Sequence, residues 1–181
     1  MPERQSRPVP SFLVDVVEDA GDWPALGDME ILIGRAADAV AMHQVELKNG
    51  AEVTVALSSD AAVAALNGQF RGKAKATNVL SFPAGPGAPE GTLGDIILAA
   101  ETIAREASEQ ATPFAHHVQH LVVHGLLHLI GFDHEEQAGA ERMEALEIEI
   151  LKHLGIENPY TEPLDTAKLG GSGDIPAQTN P

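Results

Sequence analysis

The chain carries, at residues 124–134, the run His124-Gly-Leu-Leu-His128-Leu-Ile-Gly131-Phe-Asp-His134. One turn of an α-helix takes about 3.6 residues, so two histidines four positions apart project from the same face. Gly131 permits the left-handed backbone that ends a helix, and His134 follows where the chain can fold back. Three imidazoles that converge in this way suit a zinc ion with an open fourth position. The spacing therefore favours His124, His128 and His134 as ligands of one zinc ion.

A second set of ligands is conceivable, because His116 and His120 continue the same stripe at the same four-residue step. Three ligands in line along one straight helix cannot easily surround a single ion, so a set made of His120, His124 and His128 is less favoured. We expect His120 to pack near these histidines, or to orient one of the metal ligands from outside the coordination shell.

Length and composition bound the class of protein. A chain of 181 residues with 44% hydrophobic residues can form one domain with a sizeable core. It has no cysteine, so a zinc ion must be bound by histidine, aspartate or glutamate, which fits a reducing cytoplasm. No apolar run approaches the ~20 residues that span a bilayer, and no secretory signal is visible. We therefore expect a cytoplasmic protein without a membrane segment.

The order of predicted elements indicates an α+β fold. Strands and helices alternate early, a turn at Lys48-Asn49-Gly50 suggests a hairpin, and helices dominate later. This pattern predicts a mixed β-sheet with helices packed on it. The histidine-bearing helix, capped by Thr112 and ending near Ile130, is apolar nearly all round, so it should be the central buried helix.

The chain divides into three predicted parts. Residues 1–10 form a loose arm, 11–158 a single domain, and 159–181 a disordered tail. The last helix of the domain has an apolar stripe and an acidic face, which we interpret as solvent-exposed. That acidic face consists of Glu141, Glu144, Glu147 and Glu149.

Basic residues are scarce but locally concentrated. Arg71, Lys73 and Lys75 lie within five positions, in a chain whose formal net charge is −16. On composition alone, a solvated loop is the better interpretation of this segment. The net charge argues against a broadly basic nucleic-acid-binding surface, although a local basic groove remains compatible with it.

The predicted zinc site suggests hydrolysis. Zinc lowers the pKa of a bound water to about 7 and can polarise a carbonyl or phosphoryl oxygen. Zinc peptidases of the HExxH kind use a glutamate directly after the first histidine as general base, but Gly125 stands there. Proton transfer must then depend on one of three groups: Asp133, a residue that contacts the metal ligands from outside, or the substrate itself. RNA supplies its own 2′-hydroxyl, so RNA is a compatible substrate.

Several blocks of the chain resemble the YbeY endoribonuclease family. They cover roughly residues 53–154 and consist of His120-Leu-Val-Val before the histidine run, Leu66-Asn-Gly-Gln-Phe-Arg71-Gly-Lys73, Thr77-Asn-Val-Leu-Ser-Phe-Pro83 and Leu93-Gly-Asp95-Ile. The sequence departs from the family pattern at Ala74, where many relatives carry aspartate, and at Ala76, which replaces a frequent proline.

The resemblance implies a zincin-like α+β fold with zinc on His124, His128 and His134. It implies a single-strand-specific endoribonuclease of ribosomal RNA maturation and ribosome quality control in bacteria. Separately, the net charge of −16 leads us to expect delivery to RNA by protein partners, either ribosomal or ribosome-associated proteins. The resemblance also marks Arg71 as functional, which reverses the interpretation of the basic segment. Arg71 could clamp a phosphate, and Lys73 and Lys75 could contact the RNA backbone. The alternatives are an assembly factor with a structural zinc, and a metal-dependent hydrolase of peptides or other substrates.

Overall fold

A computed structural model describes residues 11–43, 50–72, 77–132 and 136–160 of the chain. The predicted arm lies outside these residues, as does all of the predicted tail after Tyr160. The elements in chain order are β1 (Phe12–Glu18), α1 (Leu26–His43), β2 (Ala51–Ser58), α2 (Asp60–Arg71), β3 (Val79–Pro83), β4 (Thr92–Ala99), α3 (Ala100–Glu109), α4 (Phe114–Ile130) and α5 (Gln137–His153).

The strands form one mixed sheet in the order β1-β2-β4-β3. β1, β2 and β4 are parallel, and β3 runs antiparallel to β4. The predicted mixed sheet is therefore confirmed. The predicted hairpin is wrong, because β1 and β4 occupy both sides of β2 and leave no edge for a hairpin partner. Gly50 instead has a φ of 79° just before β2, and its N–H donates to the carbonyl of Ser11 at 2.9 Å.

The sheet positions α4 at the centre of the main core. Val55 and Ile96, on adjacent strands, are fully buried against the helices of one face. α2 covers the other face, where Val63 packs with Leu80 and Ala99. The prediction that α4 is the central buried helix is confirmed, since its apolar residues pack in the same cluster as those of α1 and α5.

Both ends of α4 are marked by a residue with non-helical backbone angles. Pro113 occupies the N-cap position with a ψ of 138°, so the predicted Thr112 cap is wrong. The helix begins one residue later than expected, and the Thr112 hydroxyl donates to the Gln110 carbonyl at 3.4 Å. At the other end Gly131 has a φ of 115°, as the sequence predicts.

The C-terminal end of α2 lies over β3. The ring of Phe70 contacts the ring of Phe82 with a centroid separation of 5.5 Å, although Phe70 is largely exposed. Gly72 then ends the helix with a φ of 68°. β3 in turn packs against α4, so the end of α2 and the histidine-bearing helix lie on opposite faces of the same strand.

Among the helices of the described ranges, none combines the length and apolarity needed to cross a membrane.

Candidate metal centre

The first two predicted ligands face each other on α4. The Nε2 atoms of His124 and His128 are 3.0 Å apart, and the ring centroids are separated by 4.6 Å. Both side chains are partly exposed. The four-residue step therefore brings the two imidazoles together as expected, and their role as metal ligands stays a prediction.

The other ring nitrogen of each histidine contacts a hydrogen-bond acceptor. His124 Nδ1 donates to the carboxylate of Glu147. His128 Nδ1 donates to the carbonyl of Phe132 at 3.1 Å. Gly131 makes this second contact possible, because its left-handed backbone turns the chain back over the last turn of α4. In neutral rings, these contacts put the proton on Nδ1 and leave a lone pair on each Nε2.

Two lone pairs at 3.0 Å repel unless a proton or a cation lies between them. Zinc binds imidazole nitrogen at about 2.0–2.1 Å, which puts two tetrahedral ligands about 3.4 Å apart. The observed separation is close to that value. The donor atoms, their facing geometry and the fixed tautomers therefore fit a zinc ion.

The remaining predicted site residues lie outside the described ranges. His134, Asp133, Lys73 and Lys75 are not among the described residues, and for Arg71 only the backbone is described. Within those ranges no three His, Asp or Glu side chains converge as a metal-binding group. The third ligand and the basic segment stay predictions.

Glu147 is the site residue that sequence reasoning missed. It belongs to the predicted exposed face of α5, but its exposed fraction is 1%. It lies four residues after Met143 and three before Ile150, both buried, so helical periodicity already puts it on the buried stripe. The interpretation of Glu147 as solvent-exposed is wrong, because it is an internal carboxylate behind a predicted ligand. Glu141 and Glu149 are exposed as predicted.

Three side chains surround the Glu147 carboxylate. His124 donates to Oε1, and the hydroxyl of Tyr160 donates to Oε2. His120 Nε2 lies 3.9 Å from Oε2. The expectation that His120 packs near the pair is confirmed, and the residue contacts Glu147 from the adjacent turn of α4.

The electrostatics of this cluster favour an ionised carboxylate. Burial raises the pKa of Glu147, but the nearby imidazole of His120, the hydrogen bond from His124, the charge that His124 carries when protonated and the hydrogen bond from Tyr160 outweigh it and lower that pKa to about 2. Burial also raises the pKa of the Tyr160 phenol, and the Glu147 carboxylate raises it further. Tyr160 therefore remains a hydrogen-bond donor at neutral pH.

The lowered pKa of Glu147 predicts how stability responds to acid. The folded-state pKa of about 2 lies below the ordinary value of 4.5. The carboxylate therefore stabilises the fold above pH 4.5, and this contribution is lost as the pH falls towards 2. It amounts to about 3 kcal/mol. Urea unfolding of metal-free protein should show this decline, and Glu147→Gln should flatten it. An equally steep decline in Glu147→Gln would contradict the assignment.

The packing of α4 on the sheet leaves little room for a side chain at residue 125. A Cβ atom at this position would lie 3.0 Å from Ile96 Cδ1 and 3.1 Å from Ser81 Oγ. The position faces the sheet and is buried, so a glutamate there would meet β3 and β4. The geometry therefore agrees with the expectation that the HExxH general base is missing here, which disfavours peptidase chemistry by that route.

The fold and the histidine pair define a class: an α+β protein whose central helix carries a candidate metal centre. The family model described as "Endoribonuclease YbeY" matches residues 21–155. An Endoribonuclease YbeY of Bradyrhizobium sp. is 49% identical over 163 residues, covering 86% of this chain and 95% of the relative. That of Dinoroseobacter shibae is 46% identical over 168 residues, covering 83% and 92%. The chain belongs to the YbeY endoribonuclease family.

A solved structure agrees with the fold. The solution structure of TM1509 from Thermotoga maritima matches with a TM-score of 0.51 and 26% identity, covering 86% of this chain and 99% of that protein. Together with the four-stranded mixed sheet, this match confirms the predicted α+β class.

Proposed function

We propose that this protein is a zinc-dependent, single-strand-specific endoribonuclease that acts in ribosomal RNA maturation and ribosome quality control in the bacterial cytoplasm. Family membership supports a nuclease that acts on RNA phosphodiester bonds. The observation that carries the metal dependence is the His124–His128 pair, whose Nε2 atoms face each other while both Nδ1 atoms are held by acceptors.

Each site residue has a separate task in this proposal. His124 and His128 hold the zinc ion with His134, and Glu147 keeps the His124 ring in the tautomer that presents Nε2. When bound, zinc supplies a Lewis acid and a water of lowered pKa. Arg71 grips the scissile phosphate through its guanidinium fork and offsets the charge that develops on it.

Proton handling must come from groups other than residue 125. Gly125 has no side chain and faces the sheet. Asp133, beside the third predicted ligand, is one candidate for holding or moving a proton, and the 2′-hydroxyl of RNA supplies a nucleophile within the substrate. The proposal therefore favours RNA over peptides, because a peptide bond has no internal nucleophile of this kind.

The acidic net charge shapes how RNA is bound. With a formal net charge of −16, the protein body repels a polyanion, so binding must depend on a local positive cleft. The zinc ion, Arg71, Lys73 and Lys75 would form that cleft. We expect weak affinity for free RNA and delivery to ribosomal RNA with the help of ribosomal or ribosome-associated proteins.

The direct test compares stripped and zinc-loaded protein on end-labelled RNA. Zinc-loaded protein should cleave a single-stranded oligonucleotide, spare the same sequence annealed into a duplex, and lose activity after chelation. Zinc added back should restore cleavage. Persistent cleavage by fully stripped protein would contradict metal dependence. If zinc-loaded protein does not cleave RNA and unfolds on chelation, the result would favour an assembly factor with a structural zinc. If it cleaves a peptide library, the result would favour a metal-dependent hydrolase of peptides.

A further inference from the structure

The polypeptide that follows α5 contributes a side chain to the cluster behind the histidine pair. Tyr160 donates its hydroxyl to Glu147 Oε2, while the other oxygen of the same carboxylate accepts from His124 Nδ1. We infer that Tyr160 and Glu147 are positioning residues, which fix the orientation and tautomer of His124 from a segment after the last helix. This inference rests on the proposed metal site.

Tyr160 is held in place by local contacts of its own. Its backbone N–H donates to the side chain of Asn158 at 2.9 Å. Its ring meets the ring of His120 edge-on, with a centroid separation of 5.8 Å. Earlier in the same segment, Ile156 is buried in the main core. The segment is therefore anchored to the core, and its last described residue reaches back to Glu147.

Glu147 requires a partner on both oxygens to hold one orientation. It is 1% exposed, next to the buried residues Met143, Ile150 and Leu151. The terminal torsion of a glutamate is broad, so a carboxylate with one partner can rotate. His120 Nε2 lies 3.9 Å from Oε2, beyond hydrogen-bond distance, so it does not hold that oxygen as Tyr160 does. The Tyr160 hydroxyl occupies Oε2 and leaves Oε1 directed at His124.

The inference predicts coupled effects on metal binding. Outer contacts of a metal-binding histidine change metal affinity by about 10–100-fold when removed. We expect Glu147→Leu to weaken zinc binding within that range, and Tyr160→Phe, which keeps the ring and leaves Glu147 in place, to weaken it by a smaller factor. Because Tyr160 acts through Glu147, the double variant should bind zinc as weakly as Glu147→Leu alone.

The experiment measures zinc affinity by competition with a chromophoric chelator. It uses full-length wild type, both single variants, the double variant and Glu149→Leu, a matched change at an exposed position of the same helix. Glu149→Leu should bind as wild type does. If Glu147→Leu does not fold, Glu147→Gln replaces it. Fully multiplicative effects in the double variant would overturn the inference, because Tyr160 would then act independently of Glu147.

A second measurement separates this inference from the proposed function. Nitrogen-15 NMR of metal-free protein reports which ring nitrogen of His124 carries the proton. Wild type should show the Nδ1–H tautomer, and Tyr160→Phe should show a mixture. An unchanged tautomer together with unchanged zinc affinity in Tyr160→Phe overturns the inference. Failure of wild type to bind zinc would instead overturn the metal dependence, and the NMR result would still decide the role of Tyr160.

Discussion

Replacement of His124 by alanine is expected to abolish RNA cleavage and to weaken zinc binding by more than the roughly 100-fold that loss of an outer contact causes. The change removes one of two Nε2 atoms that lie 3.0 Å apart. It also leaves the buried Glu147 Oε1 without its donor, which costs about 1–3 kcal/mol of stability. Chelator competition, RNA cleavage and thermal unfolding measure the three effects separately.

Two variants control for this result. His153→Ala removes an exposed histidine at the end of α5, and it should leave zinc binding and cleavage unchanged. His128→Gln removes the other facing nitrogen without taking the donor from Glu147, so it should lose zinc with a smaller loss of stability. Wild-type zinc affinity in His124→Ala, in protein that remains folded, would rule out this histidine as a ligand.

Replacement of Arg71 by alanine is expected to lower the cleavage rate by about 100–1,000-fold, the usual effect of removing one group that stabilises charge in a transition state. Arg71 is the last residue of α2, followed by the helix-ending Gly72, and alanine has a higher helix propensity than arginine, so we expect the fold to be retained. Zinc affinity should therefore stay as in wild type. Single-turnover cleavage at saturating protein concentration separates the chemical step from RNA binding.

The Arg71→Lys variant separates the effect of the planar guanidinium group from the effect of its positive charge. Lysine keeps the positive charge but lacks the planar fork, so it should recover RNA binding better than cleavage. Arg35→Ala, at an exposed position of α1, is the matched control and should cleave normally. Normal cleavage by Arg71→Ala would remove the arginine from the proposed site.

The sequence was sufficient for the parts of the fold that depend on local patterns. The four-residue histidine step predicted the facing pair, and Gly131 predicted the end of α4. The hairpin at Asn49-Gly50 failed because an Asn-Gly pair reports local backbone preference only. Pairing of β2 with both β1 and β4 is a tertiary choice made by distant strands.

The error at Glu147 has a different cause. Its spacing from the apolar residues of α5 indicates burial, whereas its charge alone favours solvent. A buried carboxylate is stable when its oxygens are paired, and its partners come from α4 and from beyond α5. Tyr160 could not be recognised either, since Pro159 and the composition beyond it suggested a tail. Neither pairing leaves a periodic signal in the sequence.

The close approach of α4 to the sheet at Gly125 restricts how this scaffold can diversify. An added Cβ atom would come within 3.2 Å of two side-chain carbons of Ile96 and within 3.1 Å of the Ser81 hydroxyl. A glutamate at this position would therefore need Ile96 and Ser81 to move, and its side chain would start from the face of α4 that packs on the sheet. A smaller residue at position 96 on β4 would relieve the closest of these contacts, so we expect the choice of residue at 125 to be coupled to the residue at 96.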